Sequence, residues 1–578
     1  MIAELQARGV LSDLDVHLAR TLVRLAGERS EAVLLAAALA SRAVGQGHVC
    51  LDLPRLTASG ALVDDAGLAV DTAAWPASRE WVAELRSSPL VGDADAVTPL
   101  VLDAAAGRLY LRRYWRYEAD LAAAIADRAA AADPAIDLAV LHAGLARLFP
   151  AAPTTPDWQR VAAFAAVRRR FCVISGGPGT GKTYTVVRIL ALLAEQALAR
   201  GAALPRVALL APTGKAAARL TEAIRDGKAA LACDDVVRAA IPDQAQTLHR
   251  ALGAVPGRSV VFRRHRGQPL QADVALVDEA SMVDLSLMAH LVDALPAEAR
   301  LILLGDQDQL ASVEAGAVLG DICNSGAPRA LSRAFVDAAT AASGDTTRGA
   351  AAASAGGLGE AIVVLTHSHR YDAAGGIGRL ARAVNGGDLA AVEAALDGDA
   401  AVGRLDPSPD GELDGALADA IVAGFAPYCA APTPFARLQA LALFRVLCAH
   451  RRGPFGVATV NAQIEQLLAE RTDFRPEGED YAGRPILVTR NDYALKLFNG
   501  DVGVIAAHPE DAARRVAHFL DDSGGTRRVA VARLPQHETV FAMSVHKSQG
   551  SEFDAVAVLL PREPSPVVSR ELLYTALT

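Results

Sequence analysis

Cysteine is sparse in this 578-residue chain, and the six that occur never form a C-x-x-C pair. Cys50, Cys172, Cys233, Cys323, Cys429 and Cys448 are scattered, which argues against an iron–sulfur or zinc site. It argues instead for reduced, mostly buried thiols in a cytoplasmic protein. Long apolar runs are also missing. Residues 33–40 and 440–444 are short runs that end near Arg42 and Arg445, whereas a bilayer span needs about 20 residues. No membrane association is expected. Residues 1–10 carry Glu4 and lead into no apolar block, so no signal peptide is expected. There is no solenoid-type repeat. Positive charge is not in excess either. A net charge of −9 neither shows nor excludes nucleic-acid binding, because a large protein can carry a local basic channel on an acidic body. The runs Arg168-Arg169-Arg170 and Arg263-Arg264-His265-Arg266 are read as solvated faces.

What the chain does have is apolar content, 52% of its residues, enough for sizeable cores. Its length calls for three or four domains. It also has one sharp motif, Gly176-Gly177-Pro178-Gly179-Thr180-Gly181-Lys182-Thr183, which fits the phosphate-loop pattern G-x-x-x-x-G-K-[ST]. The apolar run Phe171-Cys172-Val173-Ile174 before it predicts a buried strand. Val186, Ile189, Leu190 and Leu193 after it have helical spacing. A strand, a glycine loop and a helix N-terminus aim backbone N–H groups at one point and bind phosphate oxygens there. Lys182 would reach the outer phosphates of ATP, and the Thr183 hydroxyl would ligate Mg²⁺.

Residues 1–145 are expected to form a mostly helical N-terminal domain, on the spacing of Leu14, Leu18, Leu22 and Leu25. A proline-rich stretch at 150–156 follows. Residues 150–370 alternate strand and helix, which predicts a parallel sheet covered by helices. Within them, 340–359 is almost all Ala, Gly, Ser and Thr and reads as a flexible surface insertion. Residues 371–578 form a second alternating region. Inside it, 482–540 reads as a small β-barrel insert with hairpin turns at Asn499-Gly500-Asp501 and Ser523-Gly524-Gly525. The fold class is α/β.

Two further boxes follow predicted strands. Asp278-Glu279-Ala280-Ser281 puts an acid at a strand end near the phosphates. Asp278 would help hold Mg²⁺, and Glu279 would polarise the attacking water. In Gly305-Asp306-Gln307-Asp308-Gln309-Leu310, Gln309 would contact both the γ-phosphate and the water.

In this order the boxes resemble superfamily-1 helicases, and more of the chain then matches. Ala211-Pro212-Thr213-Gly214-Lys215 resembles a motif that grips the single-strand backbone, and Thr247-Leu248-His249 a second DNA-contact motif. Leu365-Thr366-His367-Ser368-His369-Arg370-Tyr371 resembles the motif that supplies an arginine finger, Arg370. The run from Ala542 through His546 and Lys547 to Phe553 resembles the motif linking DNA to ATP in the second motor domain. Gln159 stands where these helicases place an adenine-reading glutamine. Within the superfamily the chain is similar to the RecD family, alpha subunits of exonuclease V complexes, from about residue 30 onward. Gly47-His48-Val49-Cys50-Leu51-Asp52-Leu53, Arg451-Arg452-Gly453-Pro454-Phe455-Gly456-Val457 and Phe498-Asn499-Gly500-Asp501 carry that likeness.

The resemblance implies two RecA-like motor domains, a partner-docking N-terminal domain and an SH3-like insert. It also implies an ATP-driven 5′→3′ helicase on single-stranded and duplex DNA, with a RecB-like nuclease-helicase and a RecC-like scaffold as partners. The ATPase part also follows from the residues themselves. The proposed DNA-contact set is Pro212, Thr213, Lys215, Thr247, His249, His546 and Lys547. Two alternatives stay open: a nucleotide-gated DNA clamp that does not translocate, and a stand-alone RecD-like helicase. In the family, Leu572-Leu573-Tyr574-Thr575-Ala576-Leu577-Thr578 leads into a further γ-phosphate arginine. The chain stops one residue before it, so either the sequence is trimmed or a weak motor is expected. No carboxylate cluster suggests a nuclease.

Overall fold

The computed structural model describes residues 1–578 apart from 59–61, 63–69, 71–74, 132–135, 151–156, 256–257, 326–330, 344–350, 353–356, 371, 373, 400, 406–410, 493, 522–524, 564 and 566. Most of the proline-rich stretch and much of the 340–359 insertion therefore lie outside the described residues, as do Tyr371 and part of the Ser523-Gly524-Gly525 turn.

The first motor unit is built on six parallel strands: β1 Phe171–Gly176, β2 Val207–Ala211, β3 Gln246–Thr247, β4 Val274–Val277, β5 Arg300–Gly305 and β6 Ile362–Leu365. Their order is β6-β1-β5-β4-β2-β3. The strands read as unbroken apolar runs because both faces are covered. Cys172, Ile174, Ile302 and Leu304 pack toward helices Trp158–Arg168 and Lys182–Ala199. Phe171, Val173, Leu301 and Leu303 pack toward helices Arg112–Ala130 and Leu285–Ala294 on the other face.

The second unit has a three-stranded parallel sheet, with β7 Phe444–Cys448 between β13 Ala542–Ser544 and β14 Ala555–Leu559. The insert lies between β7 and β13. It is five antiparallel strands, β8 Pro485–Val488, β9 Val502–His508, β10 Asp511–Leu520, β11 Thr526–Ala530 and β12 His537–Thr539, in the order β11-β10-β9-β8-β12. The hairpin expected at Asn499-Gly500-Asp501 joins β8 to β9, and Gly500 takes a φ of 99° there. Among the described residues the ladder is open, with β11 and β12 as its edges, so the strands are as expected while no pairing closes a barrel.

The N-terminal region holds helices Asp13–Ala26 and Glu31–Gly45, the first started by a capping box between Ser12 and Asp15. Beside them stands a small four-stranded sheet of strands two to four residues long. Trp81 is fully buried between them and donates its indole N–H to the Ala32 carbonyl over 3.0 Å. Helices Arg112–Ala130 and Leu138–Leu148 contribute Leu121, Ile125, Leu141 and Leu145 to the motor cores. One sequence reading is corrected here. Arg169 is not on a solvated face; its side chain turns inward to pair with Glu360.

Candidate functional site

The phosphate loop begins where β1 ends, and the helix Lys182–Ala199 starts directly from it. Gly179 and Gly181 have φ values of 75° and 80°, a region that side chains rarely adopt. Space excludes a side chain as well. A Cβ at Gly179 would collide with Cβ of Arg370, and one at Gly181 with the amide of Gln159. Lys182 Nζ donates to the carbonyls of Gly176 and Gly177, at 2.6 and 3.1 Å. The Thr180 hydroxyl donates to the Gly177 carbonyl at 2.8 Å.

A cavity of about 1160 Å³ opens on this loop. The first unit contributes residues 178–184, Arg219, Asp278, Glu279, Gln309 and Arg370 to its wall, and the second contributes residues 548–552 and 575–578. Lys182, Thr183, Asp278, Glu279, Gln309 and Arg370 therefore all line one cleft. Gln159 is not on the cavity wall; its Nε2 donates to the Thr180 carbonyl at 3.1 Å and so braces the loop. Gly176 and Gly177 also sit behind the wall.

Burial raises the pKa of both Asp278 and Glu279, and the charge of Asp278 raises Glu279 further. Burial likewise pushes Asp306 up to about 6. Lys182 opposes the shift at all three acids, and Arg219 opposes it at Asp278 and Glu279. Asp278 and Glu279 thus line the cleft beside the phosphate loop and the Thr183 hydroxyl. Oxygen donors of this kind are those a hard divalent cation takes. Among the described residues, Glu279 is also one of two non-glycine residues with positive φ, at 51°. Such strain persists where the surroundings enforce it, commonly at functional sites. Its N–H donates to Asp278 Oδ1 over 2.9 Å.

The residues assigned to DNA lie apart from this cavity, at the C-terminal ends of strands. The pairing of Ala211 with Thr247 sets Pro212 and Thr213 beside the Thr247-Leu248-His249 segment. Thr213 and Thr247 both spend their hydroxyls as helix caps, accepting from the N–H groups of Ala216 and Arg250. His249 is exposed. Lys215 donates to the Ser551 hydroxyl of the second unit at 2.5 Å. Burial, with the charges of Arg219 and Arg445, pushes its pKa down to about 8. In the second unit, His546 and Lys547 follow β13, and the Arg451 loop follows its neighbour β7. Burial lowers the His546 pKa. Lys547 Nζ is held 2.6 Å from Glu538 of the insert, and Arg451 lies 3.8 Å from the same carboxylate. The insert also reaches the first unit. A Cβ at Gly214 would stand 3.1 Å from Phe498.

Sequence reasoning missed Arg219 and Glu538, and it gave no separate role to Gln549 and Glu552 inside the Ala542–Phe553 run. Each acts across the two units or between insert and motor. No local pattern shows those pairings.

Family models match three segments of the chain. Residues 7–110 match the family model of the RecBCD enzyme subunit RecD, N-terminal domain. Residues 159–315 match an AAA domain and 539–578 a UvrD-like helicase C-terminal domain. The RecBCD enzyme subunit RecD of Mycobacterium tuberculosis (strain ATCC 25618 / H37Rv) is 43% identical over 603 residues, covering 100% of this chain and 91% of that protein. The RecD subunit of Haemophilus influenzae is 35% identical, covering 76% of this chain and 70% of that protein. The ATP-dependent RecD2 DNA helicase of Deinococcus radiodurans is 30% identical, but the match spans 71% of this chain and only 46% of that protein.

Proposed function

The chain belongs to the RecD family of RecBCD enzyme subunits, and from that premise we propose that it is the ATP-dependent 5′→3′ DNA helicase subunit of a RecBCD-type complex. It works in the cytoplasm, in double-strand break repair and recombination, beside a RecB-like nuclease-helicase and a RecC-like scaffold. The N-terminal domain, assigned to residues 1–145, docks to the partners through the part ahead of Arg112, since helices Arg112–Ala130 and Leu138–Leu148 pack into the motor cores, while 150–370 and 371–578 form the two RecA-like motor domains. Among the described residues, no helix is long and apolar enough to cross a membrane. The observation that carries the reading is the single cleft in which the phosphate loop, Asp278, Glu279 and Gln309 meet Arg370 and the Ser548–Glu552 loop of the second unit.

In that cleft the loop N–H groups and Lys182 bind the phosphates of ATP. Thr183 and Asp278 would hold Mg²⁺, which would supply charge neutralisation for the phosphates. Glu279 orients the attacking water and receives its proton, a task suited to an acid whose pKa burial has raised. Gln309 hydrogen-bonds the water and the γ-phosphate, and Arg370 stabilises charge that develops in the transition state. Each cycle transfers DNA grip between Pro212, Thr213, Lys215, Thr247 and His249 on one unit and His546 and Lys547 on the other. Grip of this kind is made to phosphates and stacked bases, so it is sequence-tolerant and salt-sensitive.

A stand-alone helicase of the RecD2 kind is disfavoured by the RecD-type N-terminal match and by the partial cover of RecD2. A static DNA clamp is disfavoured by Lys182, Asp278, Glu279, Gln309 and Arg370 all lining one cleft. The test is unwinding of a duplex with a 5′ overhang by the reconstituted complex. Loss of unwinding in a Lys182→Gln variant is expected, and unwinding only from 3′ overhangs would contradict the assignment.

A further inference from the structure

Two arginines of the first motor unit converge on one carboxylate of the second. Arg370 Nη2 lies 2.5 Å from Glu552 Oε1, and Arg219 Nη2 lies 3.2 Å from the same oxygen. Arg219 also donates through Nη1 to the Gly550 carbonyl. These side chains are 34%, 42% and 49% exposed for Arg370, Arg219 and Glu552, so the pairs add little to stability. Their importance lies in what they connect.

The backbone of Arg370 is fixed to the first unit. The Ser368 hydroxyl donates to the Pro178 carbonyl at 3.0 Å and the His369 N–H to the Gly179 carbonyl at 2.8 Å. Its guanidinium is held by the second unit, through Glu552 and through Nη1 to the Thr578 carbonyl at 3.3 Å. A relative shift of the two units therefore turns the guanidinium while its backbone stays on the phosphate loop. The loop that carries Glu552 is itself rooted. Phe553 stacks on the buried guanidinium of Arg445, 5.1 Å from ring centroid to Cζ, and Arg445 donates to the carbonyls of Leu441 and Val540.

We propose that Glu552 is a positioning residue for Arg370. Its carboxylate sets where the guanidinium points as the cleft opens and closes, and Arg219 keeps that carboxylate in register. The proposal rests on the reading of Arg370 as the γ-phosphate arginine.

The experiment is a double-mutant cycle on DNA-stimulated ATP hydrolysis by the full chain, with Glu552→Ala, Arg370→Ala and the double variant. Glu552→Ala is expected to lower kcat about tenfold while KM for ATP stays within about twofold, the pattern of a lost transition-state interaction. In the Arg370→Ala background the same change is expected to alter kcat by less than about twofold, because the residue it acts through is gone. Glu552→Gln, which keeps the shape, controls for misfolding and is expected to show the same fall with an unchanged unfolding midpoint. Equal losses in both backgrounds would overturn the proposal, as would an unchanged kcat or a raised KM alone. If Arg370→Ala itself leaves turnover intact, the reading of Arg370 falls instead.

Discussion

The side-chain amide of Gln549 donates to the backbone carbonyl of Leu310 over 3.0 Å. Leu310 ends the Gly305–Leu310 loop of the first motor unit, and Gln549 belongs to the loop after Lys547 in the second. The N–H of Leu310 is bound too, donating to the Thr575 hydroxyl at 2.9 Å. The loop proposed to sense nucleotide is thus held from both sides of one residue by the unit that also carries His546 and Lys547. Removing this bond should uncouple DNA from turnover. Gln549→Ala is expected to cut DNA stimulation of ATP hydrolysis by about fivefold, the value of one hydrogen bond near 1 kcal/mol, with DNA-free turnover unchanged. ATPase titrations with and without single-stranded DNA check it.

Arg370 approaches the phosphate loop from β6 and lines the nucleotide cavity. Arg370→Ala should leave ATP binding nearly intact, while turnover falls by roughly a thousandfold, as for other arginine fingers. Equilibrium binding of a labelled ATP analogue, set beside steady-state rates, separates the two. Equal loss of both would mark Arg370 as a structural residue.

Lys215 carries a pH signature. Burial depresses its pKa from 10.5 to about 8, so the folded chain binds fewer protons than the unfolded chain between those values. Stability must then rise with pH across that window from this group alone, because the unfolded state holds more protons. Below about pH 8 the charged amine costs the fold on the order of 3 kcal/mol, at about 1.36 kcal/mol per pKa unit. A Lys215→Met variant is expected to lose the rise between pH 8 and 10. Denaturant midpoints for both proteins across that range decide it, and parallel curves would refute the depressed pKa.

Glu538 neutralises Lys547 and Arg451, both on the face assigned to DNA. Glu538→Gln frees the two cations. Binding of single-stranded DNA is expected to tighten about threefold to tenfold at low salt, and the slope of log affinity against log salt to steepen by about one. Fluorescence anisotropy across a salt series reads both quantities. No change in slope would show that Lys547 and Arg451 do not reach phosphates.

Much of the site was legible in the sequence because its physics is local. The phosphate loop needs glycine where φ is positive, and the strands around it must be apolar on both faces, so motif and periodicity appear together. Asp278 and Gln309 are legible for the same reason, each standing just past a strand end. The N-terminal sheet was not legible. A strand as short as Val91–Gly92 gives no alternation to read. Arg169 misled for a different reason. Its three-arginine run looks solvated, but its partner Glu360 is 191 positions away. Glu552, Arg219 and Gln549 share that difficulty, since their meaning arises only when the two units face each other.

The most direct test of the whole account is steady-state ATP hydrolysis with and without short single-stranded DNA, by this chain alone and reconstituted with RecB- and RecC-type subunits. The account predicts turnover that DNA raises about tenfold or more and that, for the chain alone, Lys182→Gln abolishes without loss of fold. Turnover indifferent to DNA in both settings, or retained by the Lys182→Gln chain alone, would contradict it.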